Sequence, residues 1–161
     1  MSEDLIITKR DKEGLYEEIL PQIEALLSGE TDVIANFANA AAALHEAFSF
    51  WWTGFYINKG GVLVLGPFQG PVACTRISCG RGVCGTAFAK SETIVVEDVR
   101  EFPGHIACSS LSLSEIVVPL ILEDGTFYGV LDIDSEKVGT FDDIDKKYLE
   151  KLASIICKTL N

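Results

Sequence analysis

The chain has 161 residues, 48% of them apolar and 23% charged, with five cysteines and a net charge of −11 at neutral pH. That length builds one domain with its own hydrophobic core, and the acidic balance excludes a phosphate-binding surface for nucleic acid or anionic membrane. The longest apolar stretch, residues 116–122, is strand-sized and contains Pro119, so no membrane span is expected. The opening residues are too charged for a secretory leader, which leaves the cytoplasm as the expected location. An odd number of cysteines in a reducing compartment argues against a permanent disulfide framework. The five are free thiols, metal ligands or catalytic groups.

Two helices open the chain. The first is expected over residues 12–27, with Leu15, Ile19, Ile23, Leu26 and Leu27 at helical spacing and Pro21 marking a kink. The second runs from about Thr31, read as its N-cap, to Phe48, with Ile34, Phe37, Ala41, Leu44 and Phe48 inward. From residue 50 the pattern turns extended. WWTGFYI and VLVLG read as a hairpin about Asn58 to Gly61, and PVACTRI as a third strand. Gly80-Arg81-Gly82 leads into a short helix of about 83–90, followed by the strand TIVVE.

Residues 98–114 show no usable period, and a loop that long in a compact domain is more often functional than filler. EIVVPLIL and TFYGVLDID form another hairpin around Asp124-Gly125, and Thr140 is read as the cap of a last helix over about 141–160. The expectation is one α+β domain over residues 1–161. It has N-terminal helices over about 12–48 and a sheet with the active-site region over about 50–135. The sheet is mostly antiparallel, five- or six-stranded, with helices packed on one face.

The chemistry lies in the cysteines and acids. Cys74, Cys79 and Cys84 recur at a five-residue step, and Cys108 follows in PGHIACSS. Asp132 and Asp134 are two apart in a strand and share a face, with Ile133 turned to the core. Trp52 and Tyr56, four apart in a strand, also share a face. Each feature has a plain alternative. A single cysteine is usually a small buried hydrophobe, strand-end acids are usually solvated, and aromatics of this kind are usually core.

Taken together, several segments resemble the GAF-domain free methionine-(R)-sulfoxide reductases. They are Trp52-x-Gly-Phe-Tyr56, LGPFQG, Ala-Cys74, GRGVCGTA, GHIACSS, SEIVVP and GVLDIDS. The resemblance covers about residues 49–152. It implies a GAF fold, a homodimer, and thiol-dependent reduction of free methionine (R)-sulfoxide with no cofactor. Thioredoxin or a similar dithiol would close the cycle. By the same resemblance Cys108 is the thiol that attacks the sulfoxide sulfur, Cys74 the resolving thiol and Cys84 its alternate. Trp52, Tyr56, Glu115, Asp132 and Asp134 contact substrate.

A sulfenic acid on Cys108 would condense with the second thiol to a disulfide. Cys84, near the start of a short helix, is expected to have a depressed thiol pKa. Cys79 departs from the family pattern and is read as structural, Cys157 as packing, and His105 is left open.

Other readings compete. Cys74, Cys79 and Cys84 with His105 or Cys108 could hold zinc, although the C-x2-C knuckles usual in structural sites are absent. Gly80-x-Gly-x-x-Gly85 lacks the βαβ context of a dinucleotide loop. A regulatory GAF module binding a cyclic nucleotide is the main alternative, echoed in Glu136-Lys137…Phe141 and Asp145, but the chain offers no output domain to regulate. A thiol redox sensor without turnover is the third.

Overall fold

The computed structural model describes residues 3–105, 108 and 110–160. Its six strands are β1 (Trp52–Lys59), β2 (Val62–Gln69), β3 (Arg76–Ser78), β4 (Ile94–Val96), β5 (Ser114–Ile121) and β6 (Phe127–Ser135). They form one sheet in the order β3-β2-β1-β6-β5-β4, and every neighbouring pair is antiparallel. The helices are α1 (Lys12–Leu27), α2 (Val33–Phe48), α3 (Gly82–Lys90) and α4 (Asp143–Cys157). This is the expected α+β fold with a six-stranded sheet.

The long central strands β1, β5 and β6 are apolar on both faces because both faces are covered. On one face Phe55, Ile116, Val118, Leu120, Leu131 and Ile133 pack against α1, α2 and α4. On the other, Trp52, Tyr56, Val117 and Val130 pack against Val83, Cys84 and Ala87 of α3. The short helix therefore differs from the three longer ones in lying on the opposite face. The residues 80–82 turn sends it there, with Gly80 and Gly82 at positive φ. Gly85 packs so closely that an added Cβ would lie 2.5 Å from the Ser78 carbonyl oxygen.

Several local expectations shift by a residue or two. The N-caps of α2 and α4 are Asp32 and Asp142, not the threonines before them, because each carboxylate accepts from amides of the first turn. Asp142 and Asp145 complete a reciprocal capping box. Ile34 is 68% exposed. Val33 takes the inward place in that turn, and Ile34 lies roughly 100° further round the helix. Tyr16, not Leu15, carries the corresponding stripe of α1. Of the PVACTRI segment only Arg76 and Ile77 join the ladder, which continues to Ser78. Pro71 has no amide to give, and the Cys74 carbonyl accepts instead from the Tyr56 hydroxyl at 2.8 Å.

One polar knot ties the two ends of the chain. Asp145, 1% exposed, accepts from the Tyr16 hydroxyl at 2.6 Å and from Lys12 Nζ at 2.7 Å. Asp145→Ala would strand the buried Tyr16 hydroxyl and break the capping box, while Lys12 kept the Thr140 carbonyl and Asp142. It is expected to cost about 3 kcal/mol or more of folding stability, read by urea denaturation. A loss under about 1 kcal/mol would show that the knot is ornamental.

Candidate active site

The register of β5, β6 and β1 builds a polar row into an otherwise apolar sheet face. Glu115 pairs with Asp134, and Asp134 with Trp52. One step along, Val117 pairs with Asp132, and Asp132 with Gly54. Cross-strand partners share a face, so Glu115, Asp134, Asp132, Trp52 and Tyr56 all point the same way. Gly54 is small by necessity. A Cβ there would collide with the Phe68 side chain and come within 2.8 Å of the Trp52 ring. With that space left open, Trp52 stacks on Tyr56 at 5.9 Å and on Phe68 at 5.1 Å, and its indole N–H donates to the Pro71 carbonyl.

These side chains line one cavity together with Cys84 and Arg81 of the α3 entry, His105, Cys108, Ser112 and the Pro71–Ala73 segment. Its volume is about 50 Å³. Across its cover runs a disulfide joining Cys74 and Cys108. All eight site residues expected from the sequence thus meet at one place. Within the 104–110 motif, Ile106, Ala107 and Ser109 lie outside the described residues.

The cavity floor is electrostatically unusual. Glu115 and Asp132 are buried at 6% and 5% exposure. No described lysine or arginine pairs with them or with Asp134. Burial raises all three carboxyl pKa values, and mutual repulsion adds to the rise at Glu115 and Asp134. Ser112 Oγ donates to Asp134 at 3.2 Å, whereas Asp132 Oδ1 is buried without any partner. These shifts favour the protonated forms at pH values where isolated carboxyls ionise. The trio titrates as a unit.

Cys84 departs from expectation. It is buried in the first turn of α3, 3.9 Å from Glu115 Oε1. Burial, followed by Asp132, Glu115 and Asp134, pushes its thiol well above the ordinary value rather than below it. A helix start is worth fractions of a kcal/mol to a charge; three acids in a desolvated pocket outweigh it. Burial likewise raises the Tyr56 hydroxyl and lowers His105, whose Nδ1 has no partner.

Cys84 Sγ and oxygens of Glu115 and Asp132 lie within 4.8 Å of one another. They are the one group of described residues with spacing suited to a metal ion. The zinc set weighed from sequence is a different one. Two of its thiols share the disulfide, and Cys79, read as structural, is exposed. Cys157 is half-buried and packs against the main core, as expected. Several lining residues were not singled out from sequence, Ser112 and Arg81 among them. Ser112 carries no motif signal, and Arg81 was visible only as part of GRGVCG.

The GAF domain family model matches residues 28–160. A curated Dictyostelium discoideum protein named GAF domain-containing protein A is 58% identical over 97% of this chain and 99% of its own length. The Escherichia coli (strain K12) free methionine-R-sulfoxide reductase is 46% identical over 93% of this chain and 91% of its own. Among solved structures, free methionine-R-sulfoxide reductase from Neisseria meningitidis in complex with its substrate superposes with a TM-score of 0.95. The two are 55% identical, covering 98% of this chain and 95% of that one. The chain belongs to the GAF domain family, in the branch that holds the free methionine-R-sulfoxide reductases.

Proposed function

We propose that the protein reduces free methionine (R)-sulfoxide to methionine and that the lined cavity is where it does so. The observation that carries this reading is the Cys74–Cys108 disulfide laid over a pocket of carboxylates and aromatic rings. That bond is the product of the proposed half-reaction, and the floor beneath it offers both acid and cation-binding groups.

In the reduced protein Cys108 Sγ attacks the sulfoxide sulfur. The Cys108 thiol gives up its proton as the sulfur–sulfur bond forms, and a proton from the carboxyl cluster goes to the sulfoxide oxygen. That oxygen then passes from the substrate sulfur to Cys108 Sγ, the transient sulfur–sulfur bond and the original S–O bond both break, and methionine leaves with Cys108 oxidised to a sulfenic acid. Cys74 then attacks Cys108 Sγ, losing its thiol proton and expelling the oxygen as water, and the disulfide forms. Glu115 and Asp134, the two most strongly raised acids, are the proton source in this scheme. Asp132, with its unpartnered oxygen, receives the substrate ammonium. Trp52 and Tyr56 wall the methyl end. Cys84, neutral and next to the acids, acts as a neighbour of the substrate head group rather than as the first resolving thiol.

The cavity of the disulfide form holds only a few waters. An amino acid of about ten non-hydrogen atoms therefore enters after reduction has freed Cys74 from Cys108. Thioredoxin or another dithiol supplies that reduction, and the chain acts as a cytoplasmic homodimer. These last three assignments rest on the family resemblance and on free thiols that need a reducing compartment.

The test is turnover. With dithiothreitol as reductant, the protein is expected to convert the free R epimer to methionine, and Cys108→Ser to show no multiple turnover, because a hydroxyl is a weak nucleophile toward sulfur. Sustained activity in that variant would move the nucleophile elsewhere. Without reductant, one equivalent of methionine should appear, and peptide mapping should find the Cys74–Cys108 bond. Persistent sulfenic acid without any disulfide would remove Cys74 from the cycle.

The acid cluster makes a separate prediction about stability. The folded state holds protons that the unfolded state releases in the ordinary carboxylate range, so stability falls as pH rises above that range. Asp134→Asn is therefore expected to be more stable than the natural protein at about pH 8, with the margin shrinking toward about pH 5, while its kcat falls. An Asn variant less stable at both values would contradict the raised carboxyl pKa.

A further inference from the structure

The floor of the cavity presents a donor set that the proposed reaction uses only in part. Cys84 Sγ, a Glu115 oxygen and an Asp132 oxygen lie within 4.8 Å of one another, and all three residues are buried. The thiol donates to Glu115 Oε1 at 3.9 Å. Tetrahedral zinc holds sulfur at about 2.3 Å and oxygen at about 2.0 Å, which sets neighbouring ligand atoms roughly 3.3 to 3.5 Å apart. The observed separations exceed that by an amount side-chain rotation closes. The donors stand on α3, β5 and β6, and the β5–β6 ladder fixes two of them against each other. Such a framework holds a ligand set in place before any ion arrives.

Asp132 points independently to a cation. It is 5% exposed and lines the cavity, yet its Oδ1 has no hydrogen-bond partner. Buried polar atoms of that kind are rare and costly. No described lysine or arginine pairs with Asp132 or Glu115. A divalent ion would engage the orphaned oxygen and the two neighbouring donors at once. The donor types choose the ion: a thiolate with two carboxylates suits zinc, whereas Mg2+ and Ca2+ take oxygen ligands.

We propose that Cys84, Glu115 and Asp132 form a zinc site on the cavity floor, and that zinc bound there is a reversible inhibitor rather than a cofactor. The Cys84 thiol proton and any carboxyl protons leave to solvent as the ion binds, and water takes its fourth position. The ion occupies the place where Asp132 receives the substrate ammonium, so metal and substrate exclude one another. That competition rests on the reading of the cavity as an amino-acid sulfoxide site; the metal binding itself does not.

The test uses the disulfide form, in which Cys74 and Cys108 are joined and the free thiols are Cys79, Cys84 and Cys157. Co2+, a spectroscopic substitute for zinc, is titrated into metal-stripped protein. One equivalent is expected to bind with a thiolate-to-cobalt charge-transfer band in the near ultraviolet. Zinc should abolish that band, and excess Mg2+ should leave it unchanged. Cys84→Ser should remove the band and weaken zinc binding about a hundred-fold or more, since the loss of mere supporting partners already reaches that range. Asp132→Asn should keep the band and weaken binding about tenfold or more, while Cys79→Ala and Cys157→Ala leave both unchanged.

No charge-transfer band in the natural protein, or its survival in Cys84→Ser, would overturn the proposal. Should Cys84→Ser fail to fold, X-ray absorption of the zinc-loaded Cys79→Ala/Cys157→Ala disulfide form decides. A sulfur neighbour at about 2.3 Å supports the site, and an all-oxygen shell contradicts it. Inhibition is read in a single turnover of reduced protein freed of reductant. With zinc at about ten times its Kd, the substrate concentration giving half the maximal rate should rise about tenfold, with the maximal rate unchanged. A zinc effect that saturating substrate leaves untouched would overturn the shared site. Failure of turnover without zinc would sink the reductase reading and not the metal site.

Discussion

Three carboxylates held on one sheet face without a paired cation are the constraint around which this molecule is arranged. Glu115, Asp132 and Asp134 lie on adjacent central strands, where the ladder fixes their positions to within a side chain's reach. An arrangement of that kind disfavours the charged forms of its own members. Desolvation and mutual repulsion both act against the charged forms, and Asp132 lacks even a hydrogen bond on one oxygen. It persists because the alternate residues of the same strands, Ile116, Ile133 and Leu131, are sealed into the core on the other face. A slip of one residue would turn the acids into that core and the isoleucines into the cavity.

The second layer of the design is the cover. Tyr56 reaches from the sheet to hold the Cys74 carbonyl, and Trp52 does the same for Pro71. The segment carrying Cys74 is thus tethered to the aromatic wall of the pocket, while Cys108 is exposed on the longer loop. The two sulfurs are joined beside the cavity, which Cys108 helps to line. The raised Cys84 thiol makes sense in this setting. A neutral thiol among acids offers a hydrogen bond without competing for the electrophilic sulfur. The same acids that are placed to bind a cation also keep it from becoming a thiolate.

Much of this was legible in the chain. Period-two spacing put Asp132 and Asp134 on one face with Ile133 opposite, and Trp52 with Tyr56, because strand alternation is a local rule. The motifs around Cys74, Cys84 and Cys108 carried the family and the disulfide. What the chain concealed depended on tertiary context. The Cys84 thiol was expected to be acidic from its helix position, and the opposing acids, distant in sequence, reversed it. The side of the sheet taken by α3 follows from a glycine turn whose direction no periodicity encodes. The caps moved from threonine to aspartate because both residue types satisfy the same rule and only the geometry of the turn selects between them. Arg81 carries no signal in the sequence beyond its place in Gly80-Arg81-Gly82, because its position at the cavity depends on how the helix start packs against strands distant in sequence.

The central claim is that the uncompensated acids are there to receive an ammonium, and one comparison tests it most directly. Initial rates would be measured on free methionine (R)-sulfoxide, its S epimer and the N-acetylated R compound under one reductant. The account requires turnover of the free R form, little or none of the S form, and a loss of about a thousand-fold or more in kcat/KM on acetylation. N-acetyl substrate reduced at a rate comparable to the free amino acid would contradict it.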